Sequence, residues 1–391
     1  MKVRQYIFQA PSGWKCYSAD GDDSGDVELH SFSPDILLAF GSGKDCSGEI
    51  LISWWQDSFP QAQLIGCSSA GEILDTEVFS NSITVTAVQF ESTPYKIHEI
   101  DFEPDTPSET LAHKLAQGLD TRDLKLCFVL SDGLNINGSR FVDSLRELLP
   151  ANCLLTGGLA GDGKRFQETL VCLNENYSSH KIVLLALYGD QIEVEYGSKG
   201  GWDSFGPTRR VTHSENNVLH KVDNQNALEL YKKYLGPYAK DLPSSALRFP
   251  LLITTPDGRK FVRTILAVDE AAGTMTFAGD IPQGSYAELM RANYERLIDG
   301  AADAAADVIQ KTSHTPELAI MISCIGRRLV LGQRIEEEIE VIRDTFGTKT
   351  WLTGFYSYGE ICPFETLNDA MLHNQTMTVT TLRETPTITN K

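Results

Sequence analysis

The sequence has no apolar run approaching the roughly 20 residues that a membrane-spanning helix needs. Its first residues, MKVRQYIFQAPSGWK, lack the long apolar stretch and the small-residue cleavage site of a secretion signal. Basic residues are scarce: 34 Lys and Arg stand against 53 Asp and Glu, a net charge of −19. That balance opposes non-specific binding to nucleic acid or to an anionic membrane, because both attract cations. None of the eight cysteines has Cys-x-x-Cys spacing, which excludes zinc-knuckle and thioredoxin-type motifs. These absences lead us to expect a cytoplasmic globular protein with neither a nucleic-acid nor a membrane partner. With 391 residues, 41% of them hydrophobic, there is room for two or three domains.

Two familiar catalytic motifs are incomplete. Gly41-Ser42-Gly43-Lys44 looks like part of a phosphate loop, but that motif needs glycine at 38 and Ser or Thr at 45, where Leu38 and Asp45 stand. Gly66-Cys67-Ser68-Ser69-Ala70-Gly71 looks like a nucleophile elbow. Its second glycine comes one residue late, and strand-like sequence follows where a helix is required. An acyl-transfer enzyme using Cys67 or Ser68 is therefore only the alternative reading, and no positioned base accompanies it. The expectation is a protein that is not an enzyme.

What the chain does have is one glycine loop three times: LIGCSSAGEI (Leu64–Ile73), LTGGLAGDG (Leu155–Gly163) and LTGFYSYGEI (Leu352–Ile361). Upstream of each lies a strand-like run, at 35–43, 125–133 and 317–326, and then a helical pattern. Phe141, Val142, Leu145, Leu148 and Leu149 show helical spacing, as do Ile335, Ile339, Ile342 and Phe346; Ile50, Leu51, Trp54 and Trp55 are the shorter version. Downstream lie β-branched runs at 83–90, 181–189 and 375–382. The unit reads strand, loop, helix, strand, glycine loop, hairpin, and a crossover of this length predicts parallel pairing. The recurring glycines are expected to serve turns. Ligands of open α/β sheets sit beyond the carboxyl ends of the strands, which predicts a pocket lined by these loops.

Between the second and third units the texture changes. A turn-rich stretch at 196–211 sets a domain boundary near residue 195. Strands are expected at 218–222, 248–254, 260–269 and 273–280. A helix capped by Asp223 and ended by Gly236 follows the first of them. Ser285–Lys311 reads as one long helix, with Ser285 and Glu288 at capping-box spacing. The fold class is thus α/β with an α+β insert: repeated βαβ-plus-hairpin units with mixed sheets. Residues 30–195 hold two units, 196–385 hold the insert and the third unit, and 386–391 form a disordered tail.

The chain resembles the FIST family, a sensory module of an N-terminal and a C-terminal FIST domain. GCSSAGEI and LLTGGLAGDG carry the resemblance in the first half. RRVTHSENNVLHKVDNQNALELYKKYLG, FAGDIPQGSYAELMRAN, ISCIGRRLVLG, LTGFYSYGEI and LHNQTMTV carry it in the second. The resemblance implies an intracellular sensor of a small ligand, amino acids among the proposals, that regulates a separate signalling protein. Proteins of this size also look like the family's haem-binding nitric-oxide sensors, whose partner is a histidine kinase. Haem b would need an axial ligand in an apolar pocket. His373, in the family-like string His-Asn-Gln-Thr, is the candidate, and Cys362 before Pro363 is its rival.

Differences among the three copies point to the third. Only there do two guanidinium groups, Arg327 and Arg328, follow the opening strand. Only there do Tyr356, Ser357 and Tyr358 offer aromatic faces and hydroxyls. The expected ligand site is therefore Arg327, Arg328, Gly354, Tyr356, Ser357, Tyr358, Gly359, Glu360 and Asn374, with His373 as the haem ligand.

Overall fold

The computed structural model describes residues 1–17, 32–42, 48–312, 314–364 and 366–385. The predicted tail at 386–391, the domain start at His30, and Gly43, Lys44 and Asp45 lie outside these residues.

Unit one comprises strands β1 (Lys2–Gln9), β2 (Gly13–Tyr17) and β3 (Ile36–Ser42), helix α1 (Glu49–Ser58), β4 (Gln63–Ser69), the hairpin β5 (Glu72–Leu74) and β6 (Glu77–Phe79), and β7 (Ser82–Gln89). Unit two comprises β8 (Tyr95–Asp101), α2 (Ser108–Gln117), β9 (Leu124–Ser131), α3 (Gly138–Leu148), β10 (Leu154–Leu159), the hairpin β11 (Val171–Leu173) and β12 (Asn176–Ser178), and β13 (Lys181–Tyr188). Unit three opens with β14 (Ile192–Lys199), which runs through residue 195 and pairs along its length with a C-terminal strand.

The insert follows. It holds β15 (Asp203–Ser204), β16 (Arg209–Glu215), β17 (Val218–Val222), β18 (Gln225–Asn226), α4 (Ala227–Leu235), β19 (Leu251–Thr254), β20 (Lys260–Arg263), β21 (Ile265–Asp269), β22 (Thr274–Phe277) and β23 (Tyr286–Arg291). Unit three then resumes with α5 (Tyr294–Lys311), β24 (Leu318–Cys324), α6 (Ile325–Leu331), α7 (Glu337–Phe346), β25 (Trp351–Ser357), the hairpin β26 (Gly359–Pro363) and β27 (Ala370–His373), and β28 (Met377–Glu384).

Each unit has its own parallel pair, β3–β4, β9–β10 and β24–β25, as the crossovers predict. The hairpins do not stay at home. β5 pairs with β25 of unit three, β11 with β4 of unit one, and β26 with β10 of unit two. Every unit thus gives its hairpin to one neighbour and receives one from the other, closing a cycle. The strand alternation explains why three sheets can share one core. Ile36, Leu38 and Phe40, Leu126, Phe128 and Leu130, and Leu318, Ile320 and Ile322 all face it, and Phe40 stacks on Phe355 at 4.7 Å. The intervening Leu37 and Ala39, Cys127 and Val129, and Ala319 and Met321 face the helical layers. Strands buried on both faces read as unbroken apolar runs, which is how they read here.

Three local expectations need correction. Ser285–Lys311 is not one helix: Tyr286–Arg291 pairs with β19, β15 and β16, and the helix starts at Tyr294 after Asn293. Sheet pairing of alternating Ala287 and Leu289 overrides the helix propensity, and the Ser285 hydroxyl has no partner. Asp223 does not cap α4; Asn226 does, accepting from the Glu229 N–H at 3.0 Å. Gly66, Gly157 and Gly354 are strand residues rather than turn residues. A Cβ on them would lie 2.2, 2.0 and 1.8 Å from the carbonyl oxygens of Ala39, Val129 and Met321 on the adjacent parallel strands. Close approach of two backbones, not a turn, requires these glycines.

Candidate functional site

The three glycine loops meet where the units meet. The Ala70 N–H donates to the Tyr356 carbonyl at 2.8 Å, the Tyr358 N–H to Leu159 at 3.2 Å, and the Gly161 N–H to Ser68 at 3.0 Å. Donors and acceptors hold equivalent positions in the three repeats, so the bonds form a ring that runs unit one to three, three to two, two to one. Just beyond the ring each loop buries one acid. Glu72 accepts from the hydroxyls of Ser69 (2.5 Å), Ser82 (2.6 Å) and Ser42 (2.8 Å). Burial pushes its carboxyl above the usual range, against those three bonds. Asp162 is desolvated too. Hydrogen bonds from the Tyr358 hydroxyl and from the N–H groups of Gln167, Glu168 and Phe166 outweigh that and hold it low. Glu360 accepts from Ser357 Oγ at 2.7 Å and Thr376 Oγ1 at 2.8 Å, and burial still pushes its carboxyl up to about 8.

The residues expected to bind ligand are brought together here, and their polar atoms are largely engaged by the protein. The fully buried Arg327 pairs with Glu338 (Nε 3.0 Å, Nη2 2.8 Å) and donates to the carbonyls of Gly200 and Leu297 at 2.5 and 2.7 Å. Arg328 donates to the Ala70 carbonyl and to Ser80 Oγ, with its guanidinium 5.4 Å from the Tyr356 ring centre. Tyr356 donates to Glu338 at 2.7 Å, Ser357 to Glu360, and Tyr358 to Asp162 and the Gly163 carbonyl. Gly354 and Gly359 lie in strands, where a Cβ on Gly359 would meet Leu372 at 2.8 Å. Asn374 Oδ1 and Gln375 Oε1 are buried without a protein partner.

His373 closes the β26–β27 hairpin. Its Nε2 is 2.9 Å from the Cys362 carbonyl, which fixes that nitrogen as the donor, and burial lowers its pKa to about 4. The Cys362 thiol is buried and pushed up by desolvation. Donation from Nε2 leaves Nδ1 as the unprotonated nitrogen of a buried, neutral ring, while the rival Cys362 is a buried neutral thiol rather than a thiolate. Burial also pushes up the thiol of Cys67, while Ser68 Oγ accepts from the Leu170 N–H at 2.8 Å.

A cavity opens beside the ring. About 610 Å³ in volume, it lies between the insert (Tyr238, Arg248, Leu266), helix α6 (Leu329, Val330) and the loop that follows Asp162 (Lys164, Phe166). Its link to the ring is direct: Phe166 stacks on Tyr358 with centroids 4.4 Å apart and planes at 12°. Phe166 holds a left-handed backbone conformation, φ 50°, unusual for an aromatic residue, while Asp162 accepts its N–H. Gln375 reaches the same region through the Leu247 carbonyl at 3.4 Å. Of the eight large hydrophobic side chains exposed on the described residues, Phe166, Tyr238 and Leu266 all line this cavity. Lys164 and Arg248 line it without an acidic partner among the described residues, and Asp241 adds one carboxylate. The sequence reading missed these residues. The signal for Phe166 was an aromatic inside the polar turn that follows the second glycine loop.

The fold thus combines three repeated sheets, a buried ring of loops and a cavity at the border of the insert. The sequence matches the FIST N domain over residues 35–225 and the FIST C domain over residues 227–363. The chain therefore belongs to the FIST family of small-ligand-sensing signalling proteins. No curated protein matches it. Among solved structures, it is similar to cyanuric acid hydrolase from A. caulinodans, at 9% identity over 90% of each chain and a TM-score of 0.28. No helix of the described residues is long and apolar enough to cross a membrane.

Proposed function

We propose that this protein is a cytoplasmic sensor whose ligand occupies the cavity between the insert and the repeat units, and that binding there regulates a separate signalling partner. The observation that carries this reading is the lining: exposed aromatic and aliphatic side chains beside two cations without acidic partners among the described residues, in a chain of net charge −19. Exposed apolar groups gathered in a concavity of this size suit an organic ligand. Lys164 and Arg248 suit a carboxylate, Arg248 in bidentate fashion. Asp241 suits an ammonium group, so an amino acid or a similar small organic acid matches the charge pattern.

The route outward follows from contacts. A ligand against Phe166 bears on Tyr358, and Tyr358 is fixed to Asp162 and to the ring shared by all three units. A ligand that also touches Tyr238 and Arg248 would set the insert against the repeats, which is the kind of two-body rearrangement a partner can read. The haem-based nitric-oxide reading, with a histidine kinase as partner, rests on family resemblance alone, whereas the organic-ligand reading also has the lining of the cavity.

The test is calorimetry and thermal shift with a panel of amino acids, related carboxylates and the matching amines. Carboxylates should bind and amines should not, and Lys164→Ala/Arg248→Ala should lose the response. A panel with no binder would sink this reading, above all if protein from a haem-supplied host showed a Soret band lost in His373→Ala.

A further inference from the structure

We infer that the insert carries a second, unrelated site: a divalent transition-metal site of zinc type formed by His213, Glu215 and His220. His213 and Glu215 are two apart on β16, and His220 lies on the paired strand β17. The pairing of these strands shifts register on both sides of His213. Such bulges re-aim side chains. Here the two imidazoles lie together, with centroids 4.5 Å apart and planes at 25°. His213 Nε2 is 3.4 Å from Glu215 Oε1, and one ligand atom from each of the three residues lies within 4.8 Å of the others. Among the described residues this is the single group of three such donors so placed.

Donor chemistry selects the ion. Two imidazole nitrogens and one carboxylate suit zinc, copper or nickel, whereas calcium and magnesium prefer all-oxygen shells. Bonds of about 2.0–2.2 Å place donors of a tetrahedral ion about 3.4 Å apart. The present spacing therefore needs only side-chain rotation, for which His213, 43% exposed, and Glu215, 70% exposed, have room. Three protein ligands leave a fourth position for water or an incoming group.

The location gives the ion a structural consequence. Asn216, next to Glu215, accepts from the Arg140 guanidinium of α3 and, through its carbonyl, from the Ile281 N–H at 2.9 Å. An ion across the bulge would fix the hairpin that ties the insert to unit two.

The experiment uses the full chain without a polyhistidine tag, stripped by a chelator and titrated with zinc by calorimetry, with thermal unfolding as the second readout. One zinc per chain and a rise in Tm are expected. His213→Ala/His220→Ala should lose more than the roughly 10–100-fold in affinity that removal of an outer-shell partner costs. Its Tm in chelator should equal that of the parent, which separates loss of the site from loss of the fold. Absence of zinc uptake by the parent, or unchanged stoichiometry and affinity in the double variant, overturns the inference. So does zinc binding that disappears on Cys16→Ser and persists in the double variant.

Discussion

The ring of glycine loops and the cavity beside it lie within one stacking contact of each other and are built on opposite rules. In the ring, glycines sit where no Cβ fits, and each buried carboxylate is met by hydroxyls or amides of the protein. In the cavity, aromatic rings are exposed and two cations lack acidic partners among the described residues. The ring recurs three times, while the cavity exists once, where the insert breaks the repeat. Recurrence therefore marks what holds the units together, and interruption marks where we propose that the ligand binds.

The sharpest way to break this contrast is to load the ring. Gly354→Ala puts a methyl group 1.8 Å from the Met321 carbonyl oxygen, and backbone cannot rotate away as a side chain can. We expect a loss above about 5 kcal/mol, enough to exhaust the stability of an ordinary domain, read as insoluble or unfolded protein. A folded, soluble Gly354→Ala protein would contradict the close-packed ring. Next in size is Glu338→Ala, which strands the fully buried Arg327. Denaturant unfolding should show a loss of about 3–5 kcal/mol. The Arg327→Met/Glu338→Leu pair should recover most of it, because it removes both buried charges together. Recovery would confirm that Arg327 serves the fold; continued loss would point to a further duty for the guanidinium.

Legibility in the sequence divides along the same line. The three parallel strand pairs were readable because doubly buried strands and helical stripes are local patterns. The exchange of hairpins was not, since nothing in Glu72–Leu74 announces that its partner is β25, 279 to 283 residues away. Arg327 stands out in the sequence as a charge directly after an apolar strand, but its ion pair is hidden there because Glu338 lies on another helix. A signal for that partner existed: Glu338 interrupts the apolar face of Ile335, Ile339 and Ile342. Tyr286–Arg291 was misread because sheet partners, absent from any local window, overrode helix propensity. The cavity draws on Phe166, Tyr238, Arg248, Leu266 and Leu329, segments that only the fold brings together.

A smaller effect probes the buried acids of the ring. The Glu360 carboxyl, raised to about 8 in the folded protein, binds its proton more tightly there than in the unfolded chain. Its stabilising contribution is therefore complete below the ordinary carboxyl pKa of about 4.5 and is lost as pH rises through about 8. Each unit of displacement corresponds to about 1.4 kcal/mol, so stability should fall by a few kcal/mol between pH 5 and pH 9. Glu360→Gln keeps donors and acceptors for Ser357 and Thr376 without a titrating proton and should flatten much of that slope. Glu72, also raised, leaves a remainder in the same direction. An unchanged slope in the variant would mean that Glu360 is ionised in the folded state at neutral pH.

The smallest expected change in stability comes from the cavity, and its smallness is what the comparison requires. Lys164→Ala/Arg248→Ala removes two exposed cations that hold no acid among the described residues, so unfolding free energy should move by no more than about 0.5 kcal/mol. The same variant is expected to lose carboxylate binding. Function and stability would then be separated across the single contact between Phe166 and Tyr358. A large loss of stability in this variant would show that the cations are part of the scaffold after all, and the cavity would lose its claim to be built for something outside the chain.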